Sequence, residues 1–301
     1  MNNKKLIIYG EVLYDCFPNG EQVLGGAPFN VAWHLQAFGQ SPYFISRVGR
    51  DADGERILQA MADWGMATAG VQQDDEHPTG RVMITLEQGE PSYEIMADAA
   101  YDFIDPAALN SLSCEMLYHG SLGLRNQIAR SALERLKQNG AESVFLDVNL
   151  RPPWWQRESV MLWVNQANWL KLNQHELDQL DGGEEDLHKQ ALAFKQKHDL
   201  TGLIVTQGEQ GAFVLADQPS PSPLQVVPEA SQETVDSVGA GDAFTAVMLL
   251  GLNARWPLDV TLQRAQSFAS AIVGKRGATV SSASFYADFL SRWETQERNT
   301  D

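Results

Sequence analysis

Short runs rich in apolar and β-branched residues recur along this chain, separated by longer stretches. Leu6–Tyr9, Tyr43–Val48, Met116–His119, Ser143–Asp147, Trp169–Leu172 and Leu203–Thr206 read as strands, and the amphipathic segments Ile128–Gln138 and Leu187–His198 fall between them as helices. A helix between successive strands is the usual crossover of a parallel pair. The alternation therefore predicts an α/β fold of βαβ units on a mostly parallel sheet flanked by helices. Two segments break it. Glu11–Gly26 contains Pro18-Asn19-Gly20, a hairpin signal, and Arg81–Ala97 places β-rich runs around Gln88-Gly89-Glu90. They predict a small antiparallel β lid, formed by about 11–26 and 81–97 and inserted within a single domain spanning 1–301.

A chain of 301 residues with 44% hydrophobic and 20% charged residues has the composition of a globular protein with a large core. The net charge of −17 argues against nucleic acid and anionic membranes as partners. An acidic protein that handled phosphate would need its positive potential concentrated locally, at helix N-termini or on a divalent cation. Cys16 and Cys114 are too few for a disulfide framework and lack metal-ligand spacing, which points to reduced thiols and a cytoplasmic setting. The apolar run Leu6–Tyr9 is too short for a signal peptide, and no run approaches the length of a membrane span.

Asp236-Ser237-Val238-Gly239-Ala240-Gly241-Asp242 precedes the apolar run Ala243 to Leu252, which reads as a helix. A glycine stretch feeding a helix N-terminus offers unpaired backbone N–H groups to an anion, and small residues let that anion approach closely. Asp242, in the first turn, would stand beside it as a proton acceptor. Phosphoryl transfer needs such a pairing, although a lone glycine motif is also compatible with a simple helix cap. Gly25-Gly26-Ala27-Pro28-Phe29-Asn30 offers a glycine pair and one amide at the start of a second helix, predicted over Asn30 to Phe38. Asp15 lies upstream. An aspartate and an asparagine can accept from and donate to the hydroxyls of a neutral polyol, although a turn with an N-cap explains the same residues.

Taken together, these motifs resemble those of the ribokinase/PfkB family of carbohydrate kinases, in the form found in its fructokinases. Gly25-Gly26-Ala27-Pro28-x-Asn30-Val31-Ala32 is similar to the first signature, and Val48-Gly49-Arg50-Asp51-Ala52-Asp53-Gly54 to the Val-Gly-x-Asp-x-x-Gly element. Asp147-Val148-Asn149-Leu150-Arg151 resembles the Asp-x-Asn-x-Arg segment, and Asn173-Gln174-His175-Glu176 the Asn-x-x-Glu metal motif. Thr206-Gln207-Gly208-Glu209-Gln210-Gly211 resembles the nucleotide loop, and Asp236 to Asp242 the second signature. The motifs keep the family order over nearly the whole chain.

The resemblance implies a ribokinase-like three-layer sandwich and an ATP-dependent sugar kinase. In it Asp242 would be the base, and Gly239, Ala240 and Gly241 the anion hole for the γ-phosphate. Arg151 would lie near the sugar or the transferred phosphate. Asp15, Gly26, Asn30 and Tyr101 would hold the sugar. Asn173, Thr206, Gly208, Gly211, Gly241 and Ser270 would serve the nucleotide. Asn173 and Glu176 would organise Mg²⁺ largely through water, and Asp236 would contribute to a site for a monovalent cation such as K⁺. Ser270 stands where the family often has asparagine. Apolar residues on the outer face of the lid would pair two chains as a homodimer. Ala27 replaces the lysine that follows the glycine pair in ribokinase and in family members that bind phosphorylated sugars. Tyr93-Glu94-Ile95 lacks the arginine of the sugar-acid branch. The expected substrate is D-fructose, with 2-keto-3-deoxygluconate second and ribose or a nucleoside after it. A sensor that kept the fold and lost catalysis would have lost the base or the anion hole, and Asp242, Gly239 and Gly241 are all present. His119, at a strand end, reads as an interior histidine, and Trp154 and Trp155 as packing residues.

Overall fold

The computed structural model describes residues 2–87, 90–183, 185–217, 223–228, 238–275 and 277–298. In chain order its elements are β1 (Asn2–Tyr9), β2 (Leu13–Cys16), β3 (Gln22–Gly25), α1 (Ala27–Ala37), β4 (Tyr43–Gly49), α2 (Ala52–Asp63), β5 (Val71–Asp74), β6 (Gly80–Glu87), β7 (Glu90–Ile95), β8 (Leu112–His119) and α3 (Gln127–Gln138). There follow β9 (Ala141–Asp147), α4 (Arg157–Val164), β10 (Trp169–Asn173), α5 (Gln174–Asp181), α6 (Leu187–Lys197), β11 (Gly202–Thr206), β12 (Ala212–Ala216), β13 (Leu224–Val226), α7 (Ala240–Ala254), α8 (Leu258–Val273) and α9 (Ala283–Arg298). The chain divides into two compact units, Met1–Ala32 with Ser41–Glu142 and Trp33–Gln40 with Ser143–Asp301.

The first unit carries four strands of a nine-stranded, mostly parallel sheet, in the order β8-β1-β4-β5. All three pairings are parallel, with Ile7 opposite both Tyr43 and Leu117. Strands buried on both faces read as continuous apolar runs, and Leu6 through Tyr9 are at most 2% exposed. Asp51 caps α2 by accepting from Gly54 N, and the same carboxylate accepts from the amide and hydroxyl of Thr79. Burial would raise its pKa, but these hydrogen bonds outweigh it and hold the group below the usual carboxylate range. The Val48–Gly54 motif thus ties the end of β4 to the segment entering β6.

The same unit holds the expected small sheet, of order β3-β2-β6-β7. The hairpins β2–β3 and β6–β7 are antiparallel, and a parallel β2–β6 pair joins them, with Asp15 opposite both Val23 and Val82. Met83 and Tyr93 are exposed on it.

The second unit carries the other five strands in the order β13-β12-β11-β10-β9. β9, β10 and β11 are parallel, whereas β12 and β13 run antiparallel. The buried length of α7 packs beside α8, where a Cβ on Gly251 would strike Thr261 at 2.3 Å. Among the described residues no helix is long and apolar enough to cross a membrane.

Candidate active site

In the first unit Asp15, Gly26 and Asn30, three of the four expected sugar-holding residues, gather around two glycines. Gly26 has φ +107°, and a Cβ there would lie 2.7 Å from the carbonyl oxygen of Glu11, so a side chain is excluded twice over. Its own carbonyl accepts from Asn30 N at 2.8 Å, which starts α1. The helix begins at Ala27, not at Asn30: Pro28 sits in the first turn, where its missing N–H is not needed. Asn30 is therefore not a cap but a helical residue, 4% exposed. A Cβ on Gly25 would lie 3.3 Å from Asp15 Oδ2 and 4.0 Å from Asn30 Oδ1, so both side chains converge on a residue that has none.

Tyr101 is fully buried, against Gly80 and 5.2 Å from the Arg125 guanidinium, and burial pushes its hydroxyl well above the usual range. Arg125 donates through Nε and Nη2 to the two oxygens of Asp102 at 2.7 and 2.6 Å. Arg81 and Arg56 are both held by Asp53. His119 is wholly interior, as its strand-end position suggests, and burial drives its ring down to about 3, so it stays neutral. Cys114 is buried and its thiol is pushed up to about 12, mainly by burial.

In the second unit α7 starts at Ala240, three residues earlier than the apolar run indicates. Gly239 is the N-cap, with φ +81°, and a Cβ there would lie 2.4 Å from Ala278. Asp242 is then the third helical residue and does not occupy the cap position. It is partly exposed. Gly239, Ala240 and Gly241 together form the first turn, with backbone N–H groups that have no partner within the helix.

Side chains from the end of β9 and the middle of β10 reach this turn. Lys171 Nζ donates to both oxygens of Asp147 at 2.9 and 2.8 Å, with the two side chains 9% and 4% exposed. A Cβ on Gly241 would lie 3.7 Å from that Nζ. Thr245 Oγ1 shares its proton between Asp147 Oδ2, at 2.8 Å, and the Gly241 carbonyl, at 2.9 Å. An ammonium, a carboxylate and a hydroxyl thus brace the first turn of α7. Sequence reasoning singled out neither Lys171 nor Thr245. The signal was a charged residue inside an otherwise apolar strand.

Asn173 and Glu176 form a capping box on α5: Asn173 Oδ1 accepts from Glu176 N, and Glu176 Oε2 accepts from Asn173 N, both at 2.9 Å. Glu176 Oε1 accepts from Leu150 N at 2.8 Å, which ties α5 to the loop after β9. Burial raises the Glu176 pKa, and the two backbone hydrogen bonds oppose the rise. One buried carboxylate and one amide already engaged with backbone do not make a direct metal cage. They do fit an ion such as Mg²⁺ that keeps its own water shell. Among the described residues no group of three or more His, Cys, Asp or Glu is placed to hold a metal.

An open cleft of about 410 Å³ is lined by Asn173, Gln174, His175, Asp178, Thr206, Gln207 and Gly208. It joins three of the expected nucleotide residues and adds Gln174, His175, Asp178 and Gln207. Gly211, Gly241 and Ser270 are not among its lining residues. Ser270 accepts instead from Gln266 Nε2 at 3.2 Å on α8. Arg151 is exposed, with Nη1 3.3 Å from the Leu150 carbonyl. Asp236 lies outside the described residues.

Known proteins resemble the chain in sequence and in fold. Residues 3–284 match the model of the "pfkB family carbohydrate kinase". The chain is 30% identical over 276 residues to a fructokinase of Salmonella typhimurium, covering 86% of this chain and 88% of that protein. It is 31% identical over 269 residues to a fructokinase of Klebsiella pneumoniae, covering 84% and 85%. A fructokinase double mutant from Vibrio cholerae O395, solved with fructose, ADP and a potassium ion, superposes with a TM-score of 0.79 at 26% identity, over 94% of this chain and 97% of that one.

Proposed function

The chain belongs to the pfkB family of carbohydrate kinases, and we propose that within it the enzyme transfers the γ-phosphoryl group of ATP to a hydroxyl of D-fructose. It is a phosphotransferase with an alcohol group as acceptor. The observation that carries the sugar assignment is that, among the described residues, three arginines of the unit that holds Asp15 and Asn30 are engaged by carboxylates. Arg125 is locked to Asp102 in a buried bidentate pair, Arg56 and Arg81 are held by Asp53, and Ala27 follows the glycine pair. A sugar acid or sugar phosphate would have to draw these arginines from their carboxylate partners, whereas a neutral polyol needs only hydrogen bonds. The similarity to fructokinases, one of them solved with fructose, supports the same reading.

In this mechanism Asp15 and Asn30 orient the sugar. The acceptor hydroxyl gives its proton to Asp242 as its oxygen bonds to the γ-phosphorus and the bond to the β-phosphate oxygen of ADP breaks. The N–H groups of the Gly239–Gly241 turn and the Lys171 ammonium face the charge on the transferred group. ATP occupies the Asn173–Gly208 cleft. Mg²⁺, held through water by Asn173 and Glu176, would neutralise the phosphates.

A panel of sugars in a coupled ADP-release assay tests the assignment. D-Fructose is expected to give the highest kcat/KM. A higher value for 2-keto-3-deoxygluconate or a phosphorylated sugar would overturn it. Asp15→Ala and Asn30→Ala are each expected to raise KM for the sugar by on the order of tenfold or more with little change in KM for ATP, since each leaves hydroxyls unmatched in the site. Equal rises for both substrates would show that the two residues support the fold and not the sugar.

A further inference from the structure

His34 lies in the second turn of α1 and is completely buried, yet no step above uses it. Its Nε2 is 3.0 Å from the carbonyl oxygen of Ala278, and its Nδ1 is 3.0 Å from the hydroxyl of Tyr286 on α9. A carbonyl can only accept, so Nε2 carries the proton and Nδ1 is the acceptor. Burial drives the ring down to about 4, which agrees with a neutral imidazole in that single tautomer. Tyr286 shares its proton between Nδ1 and the Val280 carbonyl, 3.1 Å away. Trp33 Nε1 donates to the same Val280 carbonyl at 3.1 Å. Three side chains therefore grip two carbonyls of one short strap, Ala278–Val280, which connects α8 to α9.

That strap touches the phosphoryl-transfer machinery. Ala278 is the residue against which Gly239 packs: a Cβ on Gly239 would lie 2.4 Å from both Cα and Cβ of Ala278. Gly239 caps α7 and sets the direction of the N–H groups that follow. A backbone packed this closely cannot shift without its neighbour shifting too. We propose that His34 is a positioning residue for phosphoryl transfer: by fixing the Ala278 carbonyl it holds the strap that sets the Gly239–Gly241 turn. The inference rests on the reading that this turn receives the γ-phosphoryl group.

The structural alternative is that His34 merely fills the core beside Phe38, Phe268 and Tyr286. It packs edge-on to Phe268 at 5.1 Å between centroids, so this alternative must be tested directly. His34→Phe keeps an aromatic ring and removes both hydrogen bonds. His34→Gln keeps a donor for the Ala278 carbonyl. Tyr286→Phe removes only the hydroxyl. A loosened anion hole should weaken what is bound in the transition state more than what is bound in the ground state. His34→Phe is expected to lower kcat by on the order of ten- to a hundredfold, the effect of a small misplacement of catalytic groups. KM for sugar and the Kd for ADP should stay within about twofold, and ADP with aluminium fluoride, a mimic of the phosphoryl group in flight, should bind more weakly in proportion to kcat. His34→Gln should recover part of the loss.

Wild-type kcat in a folded His34→Phe variant, whatever its Tm, would overturn the inference. So would a fall in kcat with unchanged affinity for the aluminium fluoride complex. If His34→Phe does not fold, Tyr286→Phe decides: a lower kcat at unchanged KM supports the strap, and an unchanged kcat rejects it. Absence of sugar-dependent ADP formation by the wild-type protein would reject the kinase reading itself. An active wild type with an equally active His34→Phe rejects only the role of His34.

Discussion

Asp242→Asn is expected to lower kcat by a factor on the order of 10²–10⁴, the range for loss of a general base, with the Kd for ATP nearly unchanged. The substitution is close to isosteric, and Asp242 is the third residue of α7, partly exposed and not the cap. Its loss should cost the fold little. The favourable meeting of a carboxylate with a helix N-terminus is worth about 0.3–1 kcal/mol, so a Tm within a few degrees of wild type is the control. In the proposed mechanism the nucleotide binds in the cleft around Asn173 and Gly208, whose lining does not include Asp242. Retention of more than about a tenth of wild-type kcat would lie outside the range for a general base and would show that the sugar proton leaves by another route.

Much of the candidate site could be read from the sequence because glycine is hard to replace where it is used. Gly26 and Gly239 combine positive φ with a backbone or Cα atom in the space a Cβ would fill, so the motifs that carry them stand out in a bare sequence. The strands were legible for a related reason: burial on both faces leaves an uninterrupted apolar run. Helix starts were less clear. Pro28 looks like a residue that precedes a helix, yet it lies within the first turn of α1, and Ala240-Gly241-Asp242 looks like loop, yet it is helical. In both places the chain enters the helix through a glycine cap, and propensity does not reveal the entry point.

Pairing beyond hairpins was not legible either. The parallel β2–β6 ladder joins Leu13–Cys16 to Gly80–Met83, segments far apart in sequence with no local signal to set their register. Lys171 and His34 were missed because each is one polar residue inside an apolar element. Alternation along a strand would put such a lysine at the surface, and an apolar helix would make such a histidine ordinary core. Only their partners, Asp147 and the Ala278 carbonyl, give them a role, and these lie 24 and 244 positions away.

Lys171→Met should produce the largest loss of stability, on the order of 3–5 kcal/mol, because it leaves the Asp147 carboxylate buried without its cation. The pair is well shielded, at 9% and 4% exposure, and both carboxylate oxygens take hydrogen bonds from the one ammonium. Removing both charges should behave differently, since exchanging a buried ion pair for apolar groups of similar volume is often neutral or stabilising. In Lys171→Met/Asp147→Leu, Thr245 would still donate to the Gly241 carbonyl, so the first turn of α7 keeps one of its two ties. The double variant is therefore expected to regain most of the stability lost by the single one in urea denaturation. Its kcat should stay depressed, because the ammonium beside Gly241 is gone and, in the proposed mechanism, the turn must meet the phosphoryl charge without it. That split separates two roles a single substitution would confound. Recovery of stability and kcat together would make Lys171 a structural partner of Asp147 and nothing more. A single variant as stable as wild type would contradict the burial of the pair.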